Sequence, residues 1–196
     1  MSNRLPAHLF AQWGLDRPSL LCHDFGGATA LRAYCLNGLR YRDLTVFAAV
    51  ALAPWGSPFV AHVRNHQAAF AGPPAYAHDA ILAAYLLSAA HKPLRAEALE
   101  LYRSPWRSAA GHAAFYRQIA QMDQAFTDEI EPHYGPLDCP TQALWGAQDD
   151  WLPFEQGKRL ADLLTGGRRQ IVPEAGYLIQ DDAPEAIVAA MLNPRW

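Results

Sequence analysis

The 196-residue sequence is short of cysteine and of charge, and it has no long hydrophobic run. Its three cysteines, at 22, 35 and 139, are too few and too scattered for a disulfide framework or a zinc-binding spacing. They fit a soluble, reducing compartment, so a cytoplasmic location is expected. A formal charge of −3 and a pI near 6.2 leave nothing to attract nucleic acid or an anionic membrane surface. The longest apolar run, 46-VFAAVALAPW-55, is too short and too broken by proline to span a bilayer, and the start, MSNRLPAHLFAQWG, lacks the apolar core of a signal peptide. No internal repeat or low-complexity stretch is visible. What is present is apolar mass: 51% of the residues, enough for one globular domain with a sizeable core.

The apolar residues are distributed in two rhythms. Residues 6–13 read as a helix closed by Gly14. A short strand ends at 20-LLC-22, a helix follows over 28–36, and a second strand runs over 43-DLTVFAAVAL-52. That continuous apolar run is what a strand covered on both faces needs. From 59 to 135 the period is helical: Leu82, Tyr85 and Leu86 share a face in one segment, and Phe115, Ile119 and Met122 in another. From 136 the strand–helix alternation returns, with strands at 141–145 and 168–172 and helices at 155–164 and 185–192. This pattern predicts an α/β fold with a mostly parallel sheet. It divides the chain into a first core part (1–58), a helical block (59–135) and a second core part (136–196). The block reads as a cap over the sheet edge, or equally as a helical half of one core.

Chemistry is concentrated where strands end. In 22-CHDFGG-27, Asp24 stands between an apolar strand and a glycine pair that opens a helix. Such a turn brings helix and strand backbones together, so small residues must flank it, and Cys22, Gly26 and Gly27 are small. The plainer reading of Asp24 is a helix N-cap. Asp149 or Asp150 follows the third strand, and Tyr177 follows the last. Ligand sites in open α/β sheets lie beyond the carboxyl ends of the strands, so all three loops are expected to share one crevice.

With these residues in hand, the sequence resembles the α/β-hydrolase family, and within it the branch with an aspartate nucleophile that holds epoxide hydrolases and haloalkane dehalogenases. The resemblance rests on 22-CHDFGG-27 as nucleophile elbow, 145-WGAQDDWLP-153 as acid loop and 173-PEAGYLIQDDAPE-185 as histidine loop. It implies a partial α/β-hydrolase fold with an inserted helical cap, and no cofactor or metal. Asp24 would attack an electrophilic carbon, the Phe25 backbone N–H would form half of the oxyanion hole, and Asp149 would orient the general base. Asp150 would be a solvated neighbour, and His23 structural. Trp55, Tyr85 and Tyr116 would line a pocket for a small-molecule substrate; among the cap tyrosines, Tyr76 and Tyr102 are further proton-donor candidates.

Two departures from the family pattern shape the expectation. Tyr177 occupies the histidine position, and a phenol with an ordinary pKa near 10 is a poor general base at neutral pH. The family also carries strands ahead of the elbow, whereas this chain is expected to start inside the preceding helix. The strand at Leu20–Cys22 would then be an open edge, available for self-association. The function expected is hydrolysis of an epoxide, halide or ester through a covalent ester on Asp24, impaired by these departures. A non-catalytic binding module derived from the same fold is the alternative. A metal site from His23, Asp24 and Asp149 has no ligand cluster to support it.

Overall fold

The computed structural model describes residues 4–193, so the outermost residues of the two expected core parts, 1–3 and 194–196, lie outside it. Four strands form one parallel sheet in sequence order: β1 (Ser19–Asp24), β2 (Asp43–Ala49), β3 (Thr141–Gly146) and β4 (Arg169–Val172). Parallel neighbours require a crossover between each pair, and helices supply them. α1 (Leu5–Trp13) precedes the sheet, α2 (Phe25–Asn37) links β1 to β2, and α9 (Phe154–Thr165) links β3 to β4. After β4 come α10 (Ile179–Asp182) and α11 (Pro184–Leu192). The expected loop 173–184 therefore contains a short helix that its polar composition, QDDAP, did not announce.

Alternation along β2 explains the two layers. Leu44 and Val46 pack with Leu31 of α2 and Leu160 and Leu164 of α9, while Phe47 joins Leu144, Ile179 and Ile187 on the α10–α11 side. All six residues of β3 are buried, as a strand covered on both faces must be. Among the described residues β1 is paired on one side only, by β2, and Leu21 is 40% exposed.

Between β2 and β3 lie six α-helices, α3 (Pro58–Asn65), α4 (Gln67–Ala71), α5 (Ala75–Leu87), α6 (Ala96–Arg103), α7 (Ala109–Ala120) and α8 (Ala125–Asp128), and two single 3₁₀ turns. They carry their own apolar cluster, in which Val60, Val63, Leu82, Phe115, Tyr116 and Ile119 are buried. The helical period of the sequence was thus a sound guide to element type, while the short helices α3, α4 and α6 were not individually legible. Among the described residues, no helix is long and apolar enough to cross a membrane.

Candidate functional site

β1 ends and α2 begins without an intervening loop, and Asp24 is the residue that makes the corner. Its backbone sits at φ 52° and ψ −130°, a conformation that costs a non-glycine residue on the order of 1–3 kcal/mol. The β1–β2 register slips between His23 and Asp24, and Asp24 C=O accepts from Val50 N–H at 3.1 Å, which fixes the corner against the end of β2. The steric demand falls on Gly27: a Cβ there would lie 2.5 Å from Ala49 Cβ. At Gly26 the nearest atom would be Cys22 Cβ at 3.9 Å, an ordinary contact, so the expected need for a small residue holds at one of the two glycines. The Asp24 side chain makes neither of the bonds to the second or third N–H of the helix that a capping aspartate makes, which counts against the N-cap reading.

Instead, the carboxylate accepts from the Tyr177 hydroxyl and the Phe25 backbone N–H. Burial outweighs these two bonds and pushes its pKa up to about 6. The loops after β1, β3 and β4 thus meet at one end of the sheet. Asp24, Phe25, Trp55, Tyr85, Trp151 and Tyr177 line a common small cavity, with about 60 Å³ of room for the centres of water molecules and part of it open to solvent. Ser57 and the apolar side chains of Val50, Val60, Met122 and Leu152 complete it.

Asp149 is buried behind this cavity. Its Oδ1 accepts from the backbone N–H groups of Trp151 at 2.9 Å and Leu152 at 2.8 Å, while Oδ2 is buried without a partner among the described residues. Burial, only partly offset by those two bonds, raises its pKa to about 7. Tyr177 lies near enough to feel its charge. Burial and the nearby charge of Asp24 hold its phenol well above 10, so it donates and does not deprotonate near neutrality. Its ring packs on His23 at 4.6 Å and on Trp151 at 4.9 Å. His23 also stacks on Phe47, its Nε2 lies 3.3 Å from Tyr177 C=O, and burial lowers its pKa to about 4, leaving a neutral packing residue.

Of the expected pocket residues, Trp55 and Tyr85 line the cavity, and Tyr116 does not. Tyr116 is buried within the helical cluster, where its hydroxyl lies 3.1 Å from His78 Nδ1. Its place in the pocket was implied by the resemblance alone, and helical periodicity does not say which neighbour a side chain meets. Tyr76 is exposed, and Tyr102 donates to Asp181, so Tyr85 is the one of the four tyrosines at the cavity. Sequence reasoning missed Asp182. Its carboxylate accepts from His91 N–H (2.9 Å), Lys92 N–H (2.8 Å) and Gly176 N–H (2.8 Å), tying the Tyr177 loop to the end of the helical segment after α5. Nothing local in the run DDAP signals this, because Asp182 does not cap the helix that follows it and two of its partners lie far off along the chain. Among the described residues, no group of three His, Cys, Asp or Glu side chains is placed to hold a metal ion.

The family model described as the alpha/beta hydrolase family matches residues 4–190. The chain belongs to that family. A comparison with curated proteins gives no match. Among solved structures, this alpha/beta hydrolase is similar to an alpha/beta hydrolase fold protein from Burkholderia ambifaria, with 52% identity and a TM-score of 0.96 over 97% of this chain and 71% of that one. It is also similar to a mutant of the haloalkane dehalogenase DatA from Agrobacterium tumefaciens (18% identity, TM-score 0.75, 96% of this chain and 70% of that one). A third likeness is to 2-hydroxy-6-oxo-6-phenylhexa-2,4-dienoate hydrolase from Rhodococcus (16% identity, TM-score 0.70, 98% and 68%). The last two, at such low identity, bear on the fold alone.

Proposed function

We propose that this alpha/beta hydrolase acts on a small organic electrophile through Asp24, with the helices between β2 and β3 serving as the cap over the reaction cavity. The observation that carries this reading is the strained backbone of Asp24 at the floor of a largely apolar cavity. Strain of this kind persists where surrounding structure enforces it, and here it accompanies an aspartate that lines the cavity. With a halide, the Asp24 oxygen bonds to carbon as the carbon–halogen bond breaks and the halide leaves with the electron pair. With an epoxide, the ring C–O bond breaks, and the alkoxide takes a proton from a donor such as Tyr85. With an activated ester, attack at the carbonyl breaks the acyl C–O bond, the alkoxide or phenoxide leaves with the electron pair, and the acyl group on Asp24 forms a mixed anhydride; only the halide and epoxide routes give an alkyl ester. The Phe25 N–H is the proposed oxyanion donor.

Release of product requires water to attack the Asp24 ester, and water must lose a proton to a base. Tyr177, held protonated, does not supply one, and neither does His23, whose low pKa makes it a weak base. The covalent ester should therefore accumulate. Incubation with a primary alkyl bromide or a terminal epoxide is expected to give a mass increase located on Asp24, forming faster as pH rises through about 6, where the carboxyl ionises. Asp24→Asn should show none, and Tyr177→His should convert the stalled adduct into turnover. Sustained turnover by the unaltered chain, abolished by Asp24→Ala, would overturn the reading of Tyr177. A second reading, a binding module without chemistry, is favoured by the Tyr177 hydroxyl already occupying the Asp24 carboxylate. Absence of an adduct in both the unaltered chain and Tyr177→His would put that reading first.

A further inference from the structure

The Asp24 carboxylate accepts from Tyr177 and Phe25, which leaves it free lone pairs, since an ionised carboxylate has about four acceptor sites. Tyr85 lines the same cavity, and among the described residues its hydroxyl has no hydrogen-bond partner. Its ring is fixed by Trp151, with centroids 4.4 Å apart, and by Phe59, at 4.7 Å. The phenol is near enough to Asp24 to feel its charge, which adds to burial in holding it protonated well above 10. A base and an unengaged donor thus share one small cavity whose walls include the apolar Val50, Val60, Met122 and Leu152.

An ester on Asp24 has no base here to hydrolyse it, because Tyr177 stays protonated and His23 is a weak base. A reaction that the Asp24–Tyr85 pair can complete consumes no water and leaves nothing on the carboxylate. Proton transfer at a carbon next to a carbonyl meets both conditions. The carboxylate takes the C–H proton, and the phenol bonds the oxygen on which charge collects. Burial makes Asp24 a stronger base than an exposed carboxylate, with a pKa of about 6, and a neutral ketone gives up less hydration to the apolar walls than an ion would. We propose that the cavity is an isomerase site for small neutral β,γ-unsaturated ketones, with Asp24 as proton carrier and the Tyr85 hydroxyl as donor to the carbonyl oxygen. Asp24 removes the α-proton, and the C–H electron pair forms the enolate C=C as the carbonyl pair moves onto oxygen. The proton then passes from Asp24 to the γ-carbon, the carbonyl reforms, and the double bond moves into conjugation. No oxidant, water or other co-reactant is consumed. This goes beyond the nucleophilic reading of Asp24 and does not depend on it.

3-Cyclohexenone tests it, because its conjugated isomer, 2-cyclohexenone, absorbs in the ultraviolet where it does not. The unaltered chain is expected to speed the conversion, with kcat/KM rising with pH through about 6 and level above, where Asp24 is ionised. Tyr85→Phe should lower kcat about 100-fold, the cost of losing one donor to a developing oxyanion, and change KM by less than about tenfold. Asp24→Asn should return the rate to that of buffer. Tyr177→Phe removes a bond that lowers the Asp24 pKa, so it should move the midpoint of the profile upward. No acceleration by the unaltered chain, or a profile without the Asp24 ionisation, would overturn the proposal without recourse to any variant. Folded Asp24→Asn or Tyr85→Phe as fast as the unaltered chain would do the same. Isomerisation with no adduct from the alkyl bromide would remove the covalent reading alone. An adduct with no isomerisation would remove this one.

Discussion

At the residue scale, the site holds two buried carboxyl groups with raised pKa values, about 6 at Asp24 and about 7 at Asp149. A carboxyl whose folded pKa exceeds its unfolded value of about 3.9 binds its proton more tightly in the native state. Its ionisation therefore lowers stability as pH rises through the interval between the two values, and the loss is complete above the folded pKa. For Asp149 that interval runs from about 4 to about 7. Asp149→Asn keeps an oxygen to accept from Trp151 and Leu152 and places a neutral group at the unpartnered position. It is expected to stabilise the protein at pH 8 by on the order of 3 kcal/mol, the advantage shrinking to near zero at pH 4. Denaturant unfolding across that range measures it; a variant less stable than the unaltered chain at pH 8 would show that Oδ2 has a partner in solution. Tyr177 is not the inert replacement that its chemistry alone suggests. Its hydroxyl lowers the pKa of Asp24, and its ring is part of the wall.

At the scale of elements, the cavity depends on how the helical segment meets the last loop. Gly176 is packed so closely there that a Cβ would lie 2.9 Å from His91 N and 3.0 Å from Ala89 O, and Leu178 N–H donates to Ala89 C=O at 3.2 Å. Asp182 closes the junction with three backbone N–H bonds, and Lys92 Nζ donates back to Asp182 C=O at 2.8 Å. Bonds to a charged acceptor contribute about 1.5–3 kcal/mol each, and removing the acceptor strands buried donors. Asp182→Ala is expected to destabilise the protein by about 3–4 kcal/mol. Exchange should accelerate first at the amides of His91, Lys92 and Gly176. Unchanged protection at those amides would mean that the junction is held by packing alone.

At the scale of the whole molecule, β1 is the outermost strand on its side of the sheet among the described residues. Leu21 there, with Val188, Met191 and Leu192 of α11, leaves large apolar side chains exposed, and Leu21 and Met191 line one groove beside that edge. An unpaired parallel strand beside an apolar face invites another strand. We propose that copies of this chain associate through Ser19–Asp24. Sedimentation should show concentration-dependent association that Leu21→Lys, by placing a charge on the edge, weakens at least about tenfold, a difference of about 1.4 kcal/mol. Monomers at all accessible concentrations would refute it.

The sequence by itself determined the α/β class, the positions of all four strands and the three loops that carry Asp24, Asp149 and Tyr177. Those features are local: apolar runs, glycine pairs and strand ends are written in consecutive residues, and a parallel sheet brings strand ends together whatever the details. Contacts between distant segments were decided only by the tertiary structure. Nothing near Tyr116 says that its hydroxyl meets His78 rather than a ligand, and nothing near Trp55 says that its N–H is left without an acceptor. The pKa values of Asp24 and Asp149 belong to the same class, because burial is a property of everything packed around a group. So does the role of Asp182, whose partners at His91 and Lys92 lie about ninety residues away along the chain and are brought to it by the return of the helical segment onto the last loop.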